Sequence, residues 1–173
     1  MKNKLIIAIG LLTFSIGIFL AYNIIKKYNS KKAIALQKQT LPNFLLYNQE
    51  EKPFSAKDLK EDKPICIFYY NAECEHCQYE AKQISKNINA FKNTLVIMVS
   101  TNTPKETTAF AKTYKLDAAG FIWLYDKDYS FYKWFGKAVT PSVYIYNAQH
   151  RLIKEYAGEV KIDALIKYLD DDQ

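Results

Sequence analysis

Only three cysteines and two histidines occur in this chain, which excludes the dense disulfide framework of a small secreted scaffold. The same scarcity argues against a structural zinc site, which needs four ligands. Beyond Cys74 and Cys77 the sequence offers only Cys66, His76 and His150, and His76 lies between the two cysteines, badly placed to share a metal with both. There is no second Cys-x-x-Cys and no paired histidine. Acidic residues are missing from positions 1–32, which carry six lysines, while the remaining 18 basic residues equal the 18 acidic ones. The formal charge of +6 therefore reports a flank, and the neutral remainder gives no support to nucleic-acid binding. No internal repeat, low-complexity tract or second globular domain is visible.

What the N-terminus does have is a charge-free run from Leu5 to Ile25, rich in Ile, Leu and Phe, between Lys4 and Lys26. As a helix, its 21 residues span ~31 Å, the thickness of a bilayer's hydrocarbon core. It is longer than the ~7–15 apolar residues of a signal peptide and no small-x-small site follows closely, so an uncleaved single-pass anchor is expected. Lysines on both sides give the positive-inside rule no bias. We divide the chain into an anchor at 1–28, a polar tether at 29–40 and one domain at 41–173.

Within that domain, Cys74-Glu75-His76-Cys77 directly follows the apolar run Pro64 to Tyr70 and directly precedes a helical pattern. A sulfur at a helix N-terminus meets unpaired backbone amides and the positive end of the macrodipole, which favour thiolate over thiol. The second sulfur, one turn inside, can attack a mixed disulfide. A redox pair is thus favoured over half a zinc site or a structural disulfide, the strand before and the helix after being its usual setting.

Around the motif the periodicities alternate. A hairpin is expected at Phe44–Tyr47 with a turn at 48–51, then a weak helix start at Ser55–Asp58. Ile65–Tyr70, apolar on both faces, reads as a central strand, with Cys66 as a small buried hydrophobe. Ala81, Ile84, Ile88 and Phe91 mark one stripe of a long helix. A strand follows at Thr94–Ser100. Thr103-Pro104-Lys105-Glu106 is a capping box opening a helix to about Lys115. Further strands are expected at Phe121–Tyr125, Ser142–Tyr146 and Leu152–Ala157, with helices at Tyr129–Phe135, stopped by Gly136, and Val160–Leu169. The order specifies an α/β domain with a mixed sheet flanked by helices.

With Cys-x-x-Cys after the first central strand and Val139-Thr140-Pro141-Ser142 before the late hairpin, the chain resembles the thioredoxin superfamily. More narrowly, Leu41-Pro42-Asn43-Phe44, Phe54 to Leu59 and Cys74 to Glu80 look like the membrane-anchored TlpA/ResA-like thiol-disulfide oxidoreductases. The resemblance covers about residues 41–170. It implies a thioredoxin-like fold, a cis Thr140-Pro141 bond that receives partner main chain, and Glu80 as proton acceptor for the second thiol; a solvated helix glutamate is the alternative for Glu80. It departs from the family's pattern at Glu73, usually aromatic, at Glu75-His76, usually a Gly-Pro or Pro-Pro type of insert, and at Phe68, where thioredoxins carry a buried Asp. Cys-x-His-Cys is similar to strong periplasmic oxidants: an imidazolium at His76 would favour the Cys74 thiolate, while Glu73 and Glu75 oppose it.

These readings converge on thiol-disulfide exchange with protein disulfide or dithiol partners, Cys74 attacking, Cys77 resolving, Glu80 relaying a proton, and Thr140 and Pro141 docking the partner. Glu75 and His76 tune the couple. No cofactor is expected, and a separate protein supplies or accepts electrons. From the branch it resembles, the direction is expected to be reduction, on the extracytoplasmic face of the cytoplasmic membrane. Competing readings are a disulfide-forming oxidant, a thiol peroxidase, which usually needs Thr where this chain has Asn71, and a metal-binding or interaction module on the same cysteine pair.

Overall fold

The computed structural model describes residues 2–59 and 63–169. Met1 of the expected anchor and the last four residues of the expected domain lie outside them. Seven strands form one mixed sheet: β1 (Leu45–Tyr47), β2 (Pro53–Ser55), β3 (Ile65–Tyr70), β4 (Leu95–Ser100), β5 (Ile122–Tyr125), β6 (Ser142–Tyr146) and β7 (Leu152–Ala157). Their order across the sheet is β2-β1-β5-β4-β3-β6-β7. The central β3, β4 and β5 are parallel, and antiparallel pairs extend the sheet on both sides.

Strand β3 is apolar at every position because both of its faces are covered. Cys66, Phe68 and Tyr70 point into one core together with Val96, Met98, Val143 and Ile145. Ile65 and Ile67 point into the other with Ile97, Val99, Tyr144 and Tyr146. The first core is closed by α2 (Glu75–Lys86), α3 (Pro104–Thr113) and α5 (Ile162–Ile166), through Ala81, Ile84, Phe110 and Leu165. The second is closed by α4 (Phe131–Phe135), whose Phe131 and Phe135 rings stack at 4.3 Å between centroids.

The expected long helix after the cysteines is interrupted. It ends at Lys86, and Ile88–Phe91 forms a 3-10 turn that keeps Phe91 in the same core. Asn87 causes the break: its side-chain amide donates to the Gln83 carbonyl at 2.9 Å, a local bond that competes with helix propagation. The capping box at Thr103 forms as expected, with Glu106 accepting from the Thr103 amide at 2.7 Å. Ser55–Asp58 makes a single 3-10 turn.

Helix α1 runs unbroken from Lys2 to Gln37, so the stretch read as a tether is helical for most of its length. It continues because its end has something to rest on. Gln37 donates to the Lys133 and Trp134 carbonyls that close α4, at 3.4 and 3.5 Å. Ile34 lies against Gly136, where an added Cβ would come within 3.2 Å of it. The following residues are stitched to the sheet by Leu152 N–H to Gln39 and Leu41 N–H to His150. From Gly10 onward α1 is long and apolar enough to cross a membrane, and Leu11, Phe14, Phe19 and Ile24 are exposed along it.

Ile67, wholly buried in the central strand, and Leu45, half exposed on β1, provide a test of this architecture. Ile67→Ala is expected to cost about 3 kcal/mol, the usual loss for a truncated core aliphatic. Leu45→Ala is expected to stay within about 0.5 kcal/mol. Denaturant titration of the full chain in detergent reads both.

Candidate active site

The site forms where the C-terminal end of β3 hands over to α2. Residues 71–73 make the turn, and their polar groups are bracketed by side chains. Asn71 accepts from the Glu73 amide at 2.8 Å, Gln78 donates to the Ala72 carbonyl at 2.9 Å, and Asn102 accepts from the Ala72 amide at 2.9 Å. Asn102 is itself held by the Ser100 hydroxyl at the end of β4. The turn thereby delivers Cys74 as the N-cap of α2, with extended backbone angles.

The two thiols of the motif, both unbonded, occupy opposite environments. Cys74 is partly exposed. Burial pushes its thiol upward, but the Cys77 and His76 backbone amides, the Cys77 thiol and the Thr140 side chain together outweigh burial, and the net shift is downward. This is the expected effect of a helix N-terminus on a capping sulfur. Cys77 is only 2 % exposed. Burial drives its thiol up to about 12, with Cys74 and Glu80 adding to the rise and the Asn71 amide, which donates to its sulfur at 3.5 Å, opposing it.

Glu80 lies one turn beyond Cys77 on the same inward face, 3 % exposed. It is therefore not a solvated helix glutamate. Burial raises its carboxyl, a hydrogen bond from the Val160 backbone opposes the rise and the Glu159 carboxylate adds to it, and the net value is about 8. Its Oε1 has no hydrogen-bond partner among the described residues. Cys66, buried in the same core, is pushed well up by burial and by Glu80, which fits its reading as a buried hydrophobe. The Tyr70 hydroxyl is buried without a partner too, and its phenol is pushed up by burial and by Cys77.

The Thr140-Pro141 bond is cis, as the resemblance implied, and the loop faces the motif. The Cys74 thiol donates to the Thr140 carbonyl at 3.7 Å. Glu75 takes the first helical position, exposed. The His76 ring contacts Glu159 through Nδ1 at 2.7 Å. His150 sits in the turn joining β6 to β7, at the opposite end of β6 from Pro141, so it does not meet the cysteines. No group of three His, Cys, Asp or Glu side chains suited to a metal gathers among the described residues.

Sequence reading missed the residues that hold the turn, Asn71, Asn102 and Gln78, and the loop residues Glu159 and Val160. For Asn71 a signal existed: Asn two residues before Glu73 is the composition of an Asx turn. For Asn102, Glu159 and Val160 there was none, because their proximity exists only once β4 and β7 are beside β3 and β6.

The AhpC/TSA family model matches residues 38–155. Over 171 residues the chain is 23 % identical to the thiol-disulfide oxidoreductase ResA of Bacillus cereus, covering 97 % of this chain and 96 % of that protein. Among solved structures it is similar to a secreted Mycobacterium tuberculosis disulfide oxidoreductase homologous to Escherichia coli DsbE, with a TM-score of 0.63 at 18 % identity over 73 % of this chain and 94 % of that one. The peroxidoxin BcpB of the same organism superposes with a TM-score of 0.64 at 18 % identity, over 78 % and 96 %. At such identities the structural likeness establishes the thioredoxin-like fold alone.

The site geometry makes two predictions. Brief alkylation at neutral pH is expected to label Cys74 while Cys77 and Cys66 remain unmodified, as read by mass spectrometry. Because Glu80 titrates near 8 in the fold, against an ordinary value of 4.5, the fold favours its neutral form. The stability this lends is complete below about pH 4.5 and is lost as pH rises to about 8, at ~1.4 kcal/mol per unit. Glu80→Gln lacks that loss, so melting curves should show the variant gaining on the wild type between pH 5 and 8 and holding the gain above.

Proposed function

The chain belongs to the AhpC/TSA family and is a thiol-disulfide oxidoreductase, and we propose that it reduces disulfides of extracytoplasmic partner proteins while α1 anchors it in the membrane. One observation carries the exchange reaction: an accessible sulfur pulled toward the thiolate stands beside a buried sulfur held as a thiol, with a buried acid one turn away. That is the division of labour between an attacking and a resolving cysteine.

In this reaction the Cys74 thiolate attacks one sulfur of the partner's disulfide, forming a mixed disulfide and expelling the partner's other sulfur as a thiolate, which takes a proton from water. The Cys77 proton then passes to the Glu80 carboxylate. With a value of about 8, roughly a tenth of Glu80 is ionised at pH 7 and ready to accept it. The Cys77 thiolate attacks Cys74 Sγ and expels the partner's second sulfur as a thiolate, which takes the proton held by Glu80; the partner leaves as a dithiol, and a Cys74–Cys77 disulfide remains. A separate donor protein returns two electrons. Main chain at Thr140 and Pro141 lies beside Cys74, which suits it to aligning the partner's backbone with the attacking sulfur. Tuning of the couple we assign to Glu75 and His76 in the first turn of α2, His76 acting through its backbone amide, which favours the Cys74 thiolate.

The opposite direction also has an observation in its favour. A lowered Cys74 value stabilises the reduced form and so makes the couple more oxidising. The reduction potential of the Cys74/Cys77 pair separates the two: a value near thioredoxin's, about −270 mV, marks a donor, and one near about −120 mV marks an oxidant.

The exchange reaction itself is tested by insulin reduction. Cys74→Ser is expected to abolish turnover, and Cys77→Ser to accumulate a mixed disulfide visible on a non-reducing gel. Wild-type activity no greater than that of the double variant would overturn the assignment.

A further inference from the structure

Three consecutive residues between β7 and α5 touch three separate parts of the site. Gly158 donates its amide to the Pro141 carbonyl at 2.8 Å, at a backbone angle (φ 90°) that favours glycine. Glu159 Oε2 meets His76 Nδ1 at 2.7 Å. Val160 hydrogen-bonds the Glu80 carboxyl through its backbone. No other loop among the described residues contacts the cis proline, one of the two residues between the cysteines and the buried acid together.

We propose that Glu159 is a positioning residue for the proton relay: clamped on His76, it fixes the 158–160 loop over Glu80 and sets the pH at which Glu80 can accept the Cys77 proton. The inference rests on the relay role given to Glu80 above. The mechanism is electrostatic and geometric at once. Glu159 places a negative charge near a carboxyl that is already desolvated, which disfavours a second charge there, while the loop it anchors brings the Val160 amide to the same carboxyl.

Among the described residues, the other titratable groups coupled to Glu80 are both thiols. From its own helix there is Cys77, whose thiol stays protonated across the physiological range. From β3 there is Cys66, also held as a thiol by burial. Facing Glu159 is His76, at the start of α2. Of the charged groups that act on Glu80, Glu159 is thus the one carried by a different element, and it can be altered without touching a sulfur.

Glu159→Gln keeps the shape and a hydrogen-bond acceptor for His76 but removes the charge. In the full chain in detergent, with glutamate carboxyl carbons labelled and the Glu80 signal assigned by its loss in Glu80→Gln, carbon NMR follows the Glu80 titration directly. We expect its midpoint to fall by about half a pH unit in Glu159→Gln, about a threefold loss of proton affinity, and to stay within about 0.2 unit in Glu159→Asp. The rising limb of the insulin-reduction pH profile should move by the same amount. A midpoint unchanged in Glu159→Gln overturns the proposal. If the midpoint moves in a chain whose wild type reduces no disulfide, the electrostatic clamp stands and the exchange reading falls, so the two failures are distinguishable.

Discussion

The burial of Cys77 and Glu80 on the inward face of α2, one turn apart, is the constraint from which the rest of the site follows. A carboxylate removed from water is costly, and a thiolate beside it costs more. The fold meets this by keeping both groups protonated at rest, so that the only sulfur with thiolate character is the accessible one. Nucleophilicity is thereby confined to Cys74 by withholding it from its neighbour. The opposed shifts of two sulfurs three residues apart follow chiefly from position, since one caps a helix and the other faces the core.

That contrast requires a support that does not yield. The motif needs an inner face dry enough to hold Cys77 neutral, which is what Phe68, Tyr70 and Val143 supply from the sheet below α2. It also needs an outer face where backbone amides converge on one sulfur, which demands a turn of fixed shape at residues 71–73. The hydrogen bonds of Asn71, Asn102 and Gln78 fix that turn to the ends of β3 and β4. Parallel strands suit this role, because their C-terminal ends present loops and helix starts together on one edge. A partner's main chain, aligned along Thr140 and Pro141, would meet Cys74 from the side of β6, the strand next to β3.

Much of this was legible from one-dimensional pattern. The continuous apolar run 65–70 announced a strand covered on both sides, the capping box at Thr103 fixed a helix start, and the spacing of Cys74, Cys77 and Glu80 placed the last two on one helix face. What was not legible depends on distant pairs. Periodicity ran on through Ile88 and Phe91, yet Asn87 stopped the helix, since side-chain competition for a carbonyl leaves no trace in hydrophobic spacing. Residues 29–40 read as a polar tether, yet Gln37 and Ile34 found partners on α4 and Gly136, more than ninety residues later. His76 was legible as a neighbour of Cys74, but its ring partner Glu159 lies 83 positions away.

The continuous α1 changes what anchoring would mean. A flexible linker lets a domain search a volume around its attachment point, whereas a helix transmits direction. From Ile25, where the apolar run ends, to Gln37 the helix advances ~18 Å, and it then rests on α4, against the face of the sheet opposite α2. On the proposed anchoring, the domain is held at a set distance and attitude, with its cysteine pair on the other side of the sheet from the helix that carries it. A protein so mounted does not sweep for partners. On that mounting a partner would reach Cys74 from a fixed quarter, and the restricted approach would add selectivity to a sulfur whose chemistry is otherwise general.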